Sequence, residues 1–427
     1  MNTTDTSFTG KTSENQGSEF TRHAIMAAIG CWIGFLLGPN VMVASTTSNY
    51  LAAVIEEWSN TEAISAALAA APLTVAIMVP ICGKLMDKFG IRTIILPGII
   101  LFGASFFVLG HVMTVWQFAV MQIILSLGTA MNSSVGFAKV VSSWFDKRRG
   151  IVLGTCVALG AGLGQTTMPK LSQWMIETWG WRGAFQGQAL MIFCLSLPLV
   201  FFLVRPKKLG SDATVDEAAD HNEAEDTPGL TVKEALRKPA FYKVFFAIMF
   251  GSMSLLGTMV FSRPIFAEQG FSVDWATTAA SFAFAGVLLG EFTSGLLLDR
   301  WTTPRIVLIY FLIALAGVLT IHSLDGQSTT MLLLGTLMLG MGFGGEVGMN
   351  AYMISRYCGL KSFGTLYGFT FGASNLGIAC GIYICGKVSA IYGSYENLFY
   401  IFGTTMLISA LCVALLPKFV YMPDKHK

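Results

Sequence analysis

GKLMDKFGIR, residues 83–92, returns in weaker form as GLLLDRWTTPR at 295–305. Gly83 maps to Gly295 and Asp87 to Asp299, both 212 positions on. Gly150 and Gly154 map to Gly364 and Gly368, 214 positions on. Two independent landmarks at nearly one offset mark a unit of about half the chain that occurs twice.

Each copy is embedded in apolar sequence. Of 427 residues 54% are hydrophobic and only 12% charged, and the mean hydropathy is +0.63. A soluble domain carries about 25% charged residues, so most of this chain is expected to face hydrocarbon. Apolar runs long enough to cross a bilayer as helix number twelve: 24–45, 63–86, 92–112, 115–143, 150–172, 182–204, 240–264, 276–298, 304–323, 329–356, 362–388 and 396–417. They are continuously apolar rather than alternating, which predicts helices and not barrel strands. The expected architecture is all-α: twelve transmembrane helices in two pseudo-symmetric six-helix bundles, 23–204 and 240–417.

The remaining segments read as connectors. Residues 1–22 are polar and lack a secretory signal pattern, so a disordered cytoplasmic tail is expected, with a second tail at 418–427. Residues 205–239 open with Arg205, Lys207 and Lys208 and then turn acidic. They predict a solvated linker with a short surface helix at 231–238. Lys and Arg cluster in alternate loops, at 84–92, 147–149, 300–305 and 356–361, whereas the first intervening loop holds Glu56, Glu57 and Glu62. The positive-inside rule then predicts both termini in the cytoplasm of a multi-pass cell-membrane protein.

Residues 83–92 resemble the major facilitator signature between the second and third helices, G-x-L-x-D-[RK]-x-G-x-[RK]. That resemblance implies the major facilitator fold and a conformational brace made by Gly83, Asp87, Lys88, Gly90 and Arg92, with Asp299 and Arg300 in the second copy. Trp144 to Gly150, the glycines 154, 160, 162 and 164, and Gly180-Trp181-Arg182 are similar to the monocarboxylate porter and oxalate–formate exchanger branch. The chain departs from that branch at Glu291, near where its carboxylate carriers usually keep an arginine, and in helix 11, which offers Asn375 as its sizeable polar residue where a dicarboxylate exchanger would have a lysine mid-helix. Drug–proton antiporters are no closer, since Gln122 lies near the place of their helix 4 arginine.

Ionisable groups deep in a span cost about 2.5–3.5 kcal/mol on insertion scales and point to function. Two acids lie deep. Glu291 is roughly 12 Å from Asp299 at the helical rise, and Glu346 sits mid-span with Asn350 one turn on. A low dielectric disfavours a charged carboxylate, so these two are the candidates for proton coupling. Trp32, Asn40, Asn132, Gln165, Arg263, Glu346, Asn350 and Asn375 are the candidate substrate contacts. Five histidines sit at span ends or in tails, the eight cysteines form no CxxC pair, and no GxxxxGK[ST] loop occurs. These patterns predict no metal, no cofactor, no enzyme chemistry and no ATP drive.

The expected function is secondary transport of a small organic anion, monocarboxylate-like and proton-coupled, by alternating access at the interface of the halves. Expected partners are that small-molecule substrate, protons and the lipid bilayer, with no nucleic acid, and the chain is expected to act as a monomer. Two rivals are efflux of an amphiphilic or cationic compound and a membrane sensor that binds without moving its ligand.

Overall fold

The computed structural model of the protein describes residues 21–145, 149–204, 229–301, 303–324, 326, 328–359 and 361–421. Helix dominates, in the order α1 Arg22–Leu36, α2 Thr47–Trp58, α3 Thr61–Phe89, α4 Ile91–Leu109, α5 Val115–Met131, α6 Ser134–Trp144, α7 Arg149–Cys156, α8 Leu163–Met191 and α9 Leu197–Leu203. A short α10, Val232–Ala235, precedes α11 Pro239–Val260, α12 Ser262–Glu268, α13 Val273–Arg300, α14 Arg305–His322, α15 Thr329–Cys358, α16 Phe363–Tyr392 and α17 Glu396–Ala414. π-helical turns at Asn40–Ala44, Val157–Gly162 and Ile192–Ser196 carry the chain through between α1 and α2, α7 and α8, and α8 and α9.

Starts and stops follow local chemistry. Side-chain oxygens of Thr21, Asn60, Thr114, Ser272 and Ser328 accept from the first free backbone N–H groups of α1, α3, α5, α13 and α15. Gly90 (φ 90°) makes the sharp turn from α3 to α4, and Gly180 (φ 69°) breaks α8. Both lie in the left-handed region that glycine adopts without a Cβ penalty.

Among the described residues, ten helical stretches are long and apolar enough to cross a membrane. One of them, Gly154–Leu203, contains the Gly180 break, and a further apolar helix at Arg305–Ile321 is shorter. The set is consistent with the twelve segments expected. Several helices outrun their predicted limits. The first continues to Trp58 rather than ending at 45, so Glu56 and Glu57 are helical and Glu62 lies in the first turn of α3, not in an open acidic loop. Hydropathy marks only the part of a helix that suits hydrocarbon, whereas the backbone bonds continue into polar sequence. The helix expected at 231–238 is confined to 232–235, where Thr231 and Glu234 form a capping box. Those bonds from Thr231 hold the Glu234 carboxyl below the usual carboxylate range. The acidic part of the linker, Asp212 to Asp226, lies outside the described residues.

The duplication is visible in the packing. Gly128 on α5 rests against the backbone of Phe102 on α4, and Gly342 on α15 against Ala314 on α14. The first pair maps onto the second by 214 and 212 positions. Between the copies, α3 packs on α16, α8 on α13, and α2 on α12. The repeat exchanges the first two pairings, because α3 corresponds to α13 and the 150–168 region to 364–382. The copies are thus related by a pseudo-two-fold arrangement with four long helices at their interface.

Candidate functional site

The copies are clasped at the end opposite the 205–239 linker. Ser48 and Ser262 hydroxyls lie 3.0 Å apart, and the backbone N–H of Arg263 donates to Ser48 Oγ at 2.9 Å. Arg263 Nη1 donates to the Asn49 carbonyl at 3.3 Å and to Gln173 Oε1 at 2.5 Å. Lys387 and Glu62 pair at 2.6 Å, one turn from where Gly386 abuts Ser65. Ser48 and Ser262 are 214 positions apart, as are Asn49 and Arg263. Residues meet their own repeat counterparts only on the axis relating the copies, so the pseudo-dyad passes through this serine pair. Ser45, Ser48, Ser262 and Thr336 border a cavity of about 10 Å³ here, room for about one water. That end of the interface is shut. In a background without native cysteines, Ser48→Cys with Ser262→Cys is therefore expected to cross-link under mild oxidant and to stop transport until reduced. Failure to cross-link would remove the clasp.

Toward the linker end the same helices part. Ser65 and Gly83 are 18 residues apart on α3, five turns, and so share a face about 27 Å apart. Gly386 and Gly368 have the same relation on α16. Ser65 and Gly386 touch, yet a side chain added at Gly83 or Gly368 would meet nothing within 4 Å. The second pairing repeats the pattern. Leu288 on α13 fills the space beside Gly162, while Gly295, seven residues on, and Gly154 face open space. The interface is a cleft, closed at one end and open at the linker end.

Glu291 lies on the flank of α13 bounded by Leu288 and Gly295, one turn from each, where the helix leaves its partner and the cleft begins. It is half-buried, and no hydrogen bond or ion pair to its carboxyl is present among the described residues. Phe292, 65% exposed, marks the lipid side of that turn. The close approach of α13 to α15 sets this geometry. Gly286 and Gly290 face backbone of α15, and Gly340 and Gly344 face the carbonyls of Ala283 and Val287.

Glu346 is held differently. It is 3% exposed, and Ser252 of α11, wholly buried, donates to its Oε1. Ser252 Oγ is also 2.7 Å from Ser374 Oγ of α16. Oε2 has no partner among the described residues and lies beside Gly251, where a Cβ would collide with it. Neither Ser252 nor Ser374 stood out in the sequence, since serines in spans mostly bond their own helix backbone. Their repeat register carried no signal either.

The other sequence candidates are scattered along the interface. Gln165 Nε2 donates to the Asn40 carbonyl at 3.2 Å, so these two meet at the first π turn. Trp32 packs where Gly160 crosses α1, with its indole N–H unpartnered among the described residues. Asn132 and Asn350 are buried with amide oxygens that likewise find no partner there. Asn375 bonds back to the Phe371 carbonyl of its own helix. Arg263, expected as a substrate contact, takes part in the clasp. At the linker end Arg92 Nη2 donates to the Phe201 carbonyl at 2.7 Å, a cation at a helix C-terminus, and Lys88 and Arg300 sit over Phe89 and Trp301. The side chains of Asp87 and Asp299 lie outside the described residues, and with them the expected brace.

Comparison with known proteins agrees with this arrangement. The profile of the Major Facilitator Superfamily matches residues 24–382 and 270–426. Monocarboxylate transporter 3 of Gallus gallus is 22% identical over 374 residues, 79% of this chain and 67% of that protein. A gentisate transporter of Corynebacterium glutamicum is 21% identical over 95% of this chain and 91% of its own length. Among solved structures, a bacterial homologue of the human lysosomal transporter Spinster, inward-facing and occupied, superposes with a TM-score of 0.69 at 14% identity, covering 92% of this chain and 96% of that one. The nucleoside transporter NupG gives 0.70 at 15% identity, covering 93% of this chain and 99% of its own.

Proposed function

This chain belongs to the Major Facilitator Superfamily, and on that premise we propose that it carries a small, monocarboxylate-like organic anion together with protons, by alternating access. The coarser part is plain: it is an integral, multi-pass membrane transporter and not an enzyme. The finer reading rests on one observation, the unpartnered carboxyl of Glu291 at the head of a one-ended cleft. With the linker end in the cytoplasm of a cell-membrane protein, the cleft is the inward-facing limb of the cycle. The chain then works as a monomer.

The replacement of an arginine by Glu291 has a chemical sense. A protonated carboxyl donates one hydrogen bond to a substrate carboxylate, and charge-assisted bonds of this kind are strong. A deprotonated one repels it. Anion and proton therefore load together, and uptake rises as the pH on the loading side falls. The named substrates of the relatives, monocarboxylates and gentisate, are both carboxylate chemistry. A deprotonated Glu291 would instead suit a cation, the efflux reading, and binding would then strengthen as pH rises.

Purified protein in liposomes, given labelled lactate or gentisate with the outside acidified, tests this. Accumulation of an anion that grows with the imposed pH difference is expected. Accumulation of a lipophilic cation alone, improving toward alkaline pH, would sink the anion reading.

A further inference from the structure

We propose that Ser374 and Ser252 form a two-hydroxyl relay that carries protons between the cleft and Glu346. This rests on the proton-coupled reading above and adds to it a path and its residues. Glu346 is sealed within the second copy, between α11, α14, α15 and α16, with no opening of its own among the described residues. Its hydrogen-bond partner there is Ser252, and Ser252 in turn reaches Ser374. Three groups from three helices form one continuous chain.

The outer end of that chain faces the interface. On α16 the lipid stripe is marked by Phe369, Leu376 and Tyr383, each 42–44% exposed. Ser374 is five residues after the first, two before the second and nine before the third, about 140–180° around the helix from all of them. It is half-buried and shares its flank with Tyr367, Phe371 and Ile378, which are also partly exposed. Gly377 and Gly381 seat the neighbouring face on the α11 backbone. Ser374 thus stands at the boundary between the α11 packing face and the cleft.

The transfer balances without any further reactant. A hydronium in the cleft gives a proton to Ser374 Oγ and is left as water, as Ser374 passes its own proton to Ser252 Oγ. Ser252 passes its proton to Glu346 Oε1. Each hydroxyl ends with one proton and the carboxylate becomes a carboxylic acid. Reversal returns the proton to the cleft. Gly251 leaves the space that Oε2 occupies, which a Cβ there would take.

Among the described residues, few other titratable groups face this chain. On the packed helices these are Glu291 of α13, whose backbone approaches Gly344; Tyr310 of α14, whose ring lies against Gly345; and Tyr367 of α16, two turns from Ser374. Tyr310 is bonded to Thr293 at 2.7 Å. Lys243 is bonded to the Leu415 carbonyl, and Arg356, with Lys243, belongs to the linker end.

The test uses full-length protein in liposomes, with an internal pH dye and labelled lactate under an imposed pH gradient. Ser252→Ala and Ser374→Ala are expected to slow the initial coupled proton and anion fluxes at least tenfold, while the final accumulation ratio, set by the gradient, is reached late but in full. Ser374→Thr, which keeps a hydroxyl, should restore the rate. Glu346→Gln should remove the coupled flux that the relay serves. Wild-type rates in both alanine variants, or slowing that Ser374→Thr fails to rescue, overturn the relay alone. Wild-type anion transport indifferent to the pH gradient overturns the proton-coupled reading and the relay with it. Thermal unfolding of each variant within a few degrees of wild type distinguishes a lost relay from lost packing, and a large drop in both alanine variants assigns the serines to packing instead.

Discussion

Glu291→Gln is expected to lower pH-driven accumulation of a monocarboxylate at least tenfold and to flatten the pH profile of what uptake remains. The amide still donates a hydrogen bond to a substrate carboxylate, so anion-for-anion exchange at equal pH should fall much less. The split follows from the chemistry. Gln mimics the protonated acid but cannot lose a proton, so the carrier can no longer return with its site discharged. The stake is large in energy, since anion and proton cross together without net charge and each pH unit across the membrane is worth about 1.4 kcal/mol per coupled proton, a tenfold accumulation ratio. Initial rates between pH 5.5 and 8, measured for net uptake and for exchange, separate the two activities. A wild-type pH profile in the variant would take Glu291 out of the mechanism, whatever its place beside the cleft.

The second large effect concerns folding. Gly344→Leu is expected to leave little correctly assembled protein, because the added side chain must enter space held by the Val287 carbonyl and the Glu291 backbone N–H. Overpacking a dense interior costs about 1–3 kcal/mol and occasionally more, and here the obstacle is backbone of a 28-residue helix rather than a mobile side chain. Gly340 makes the same approach one turn earlier, against the Ala283 carbonyl. Gly368→Leu serves as the control: it faces open cleft, so assembly should survive while closure of the linker end, and with it turnover, is hindered. Size-exclusion profiles and thermal unfolding of the two variants give the comparison. Equal stability of Gly344→Leu and wild type would mean that α13 and α15 do not meet as described.

The contrast between these glycines shows how far linear information reaches. Gly344 and Gly368 both sit in glycine-rich apolar runs, and their sequence surroundings do not separate them. One is pressed on a neighbouring backbone and the other borders empty space. Glu291 and Glu346 show the same limit. Both stand out as acids in apolar runs, because a charge in hydrocarbon is costly wherever the helix lies. Which of them touches the cleft directly, and which is buried behind two hydroxyls, depends on helix rotation and on partners from other helices. Arg263 likewise reads in sequence as a cation facing an anionic ligand, and its bonds to Asn49 and Gln173, 214 and 90 residues away, are visible only in the fold.

The amino-acid sequence alone determined the class, the helical spans and the duplication, since hydrocarbon demands continuous apolar helix and a repeat is a property of order along the chain. It determined the deep acids for the same reason. Only the tertiary structure decided which end of the interface is closed, that Ser48 and Ser262 mark the axis, and that Ser252 and Ser374 stand in one hydrogen-bonded line with Glu346. Those facts are contacts between side chains more than 90 residues apart, and they exist only once helices of unrelated local sequence have been turned to face one another.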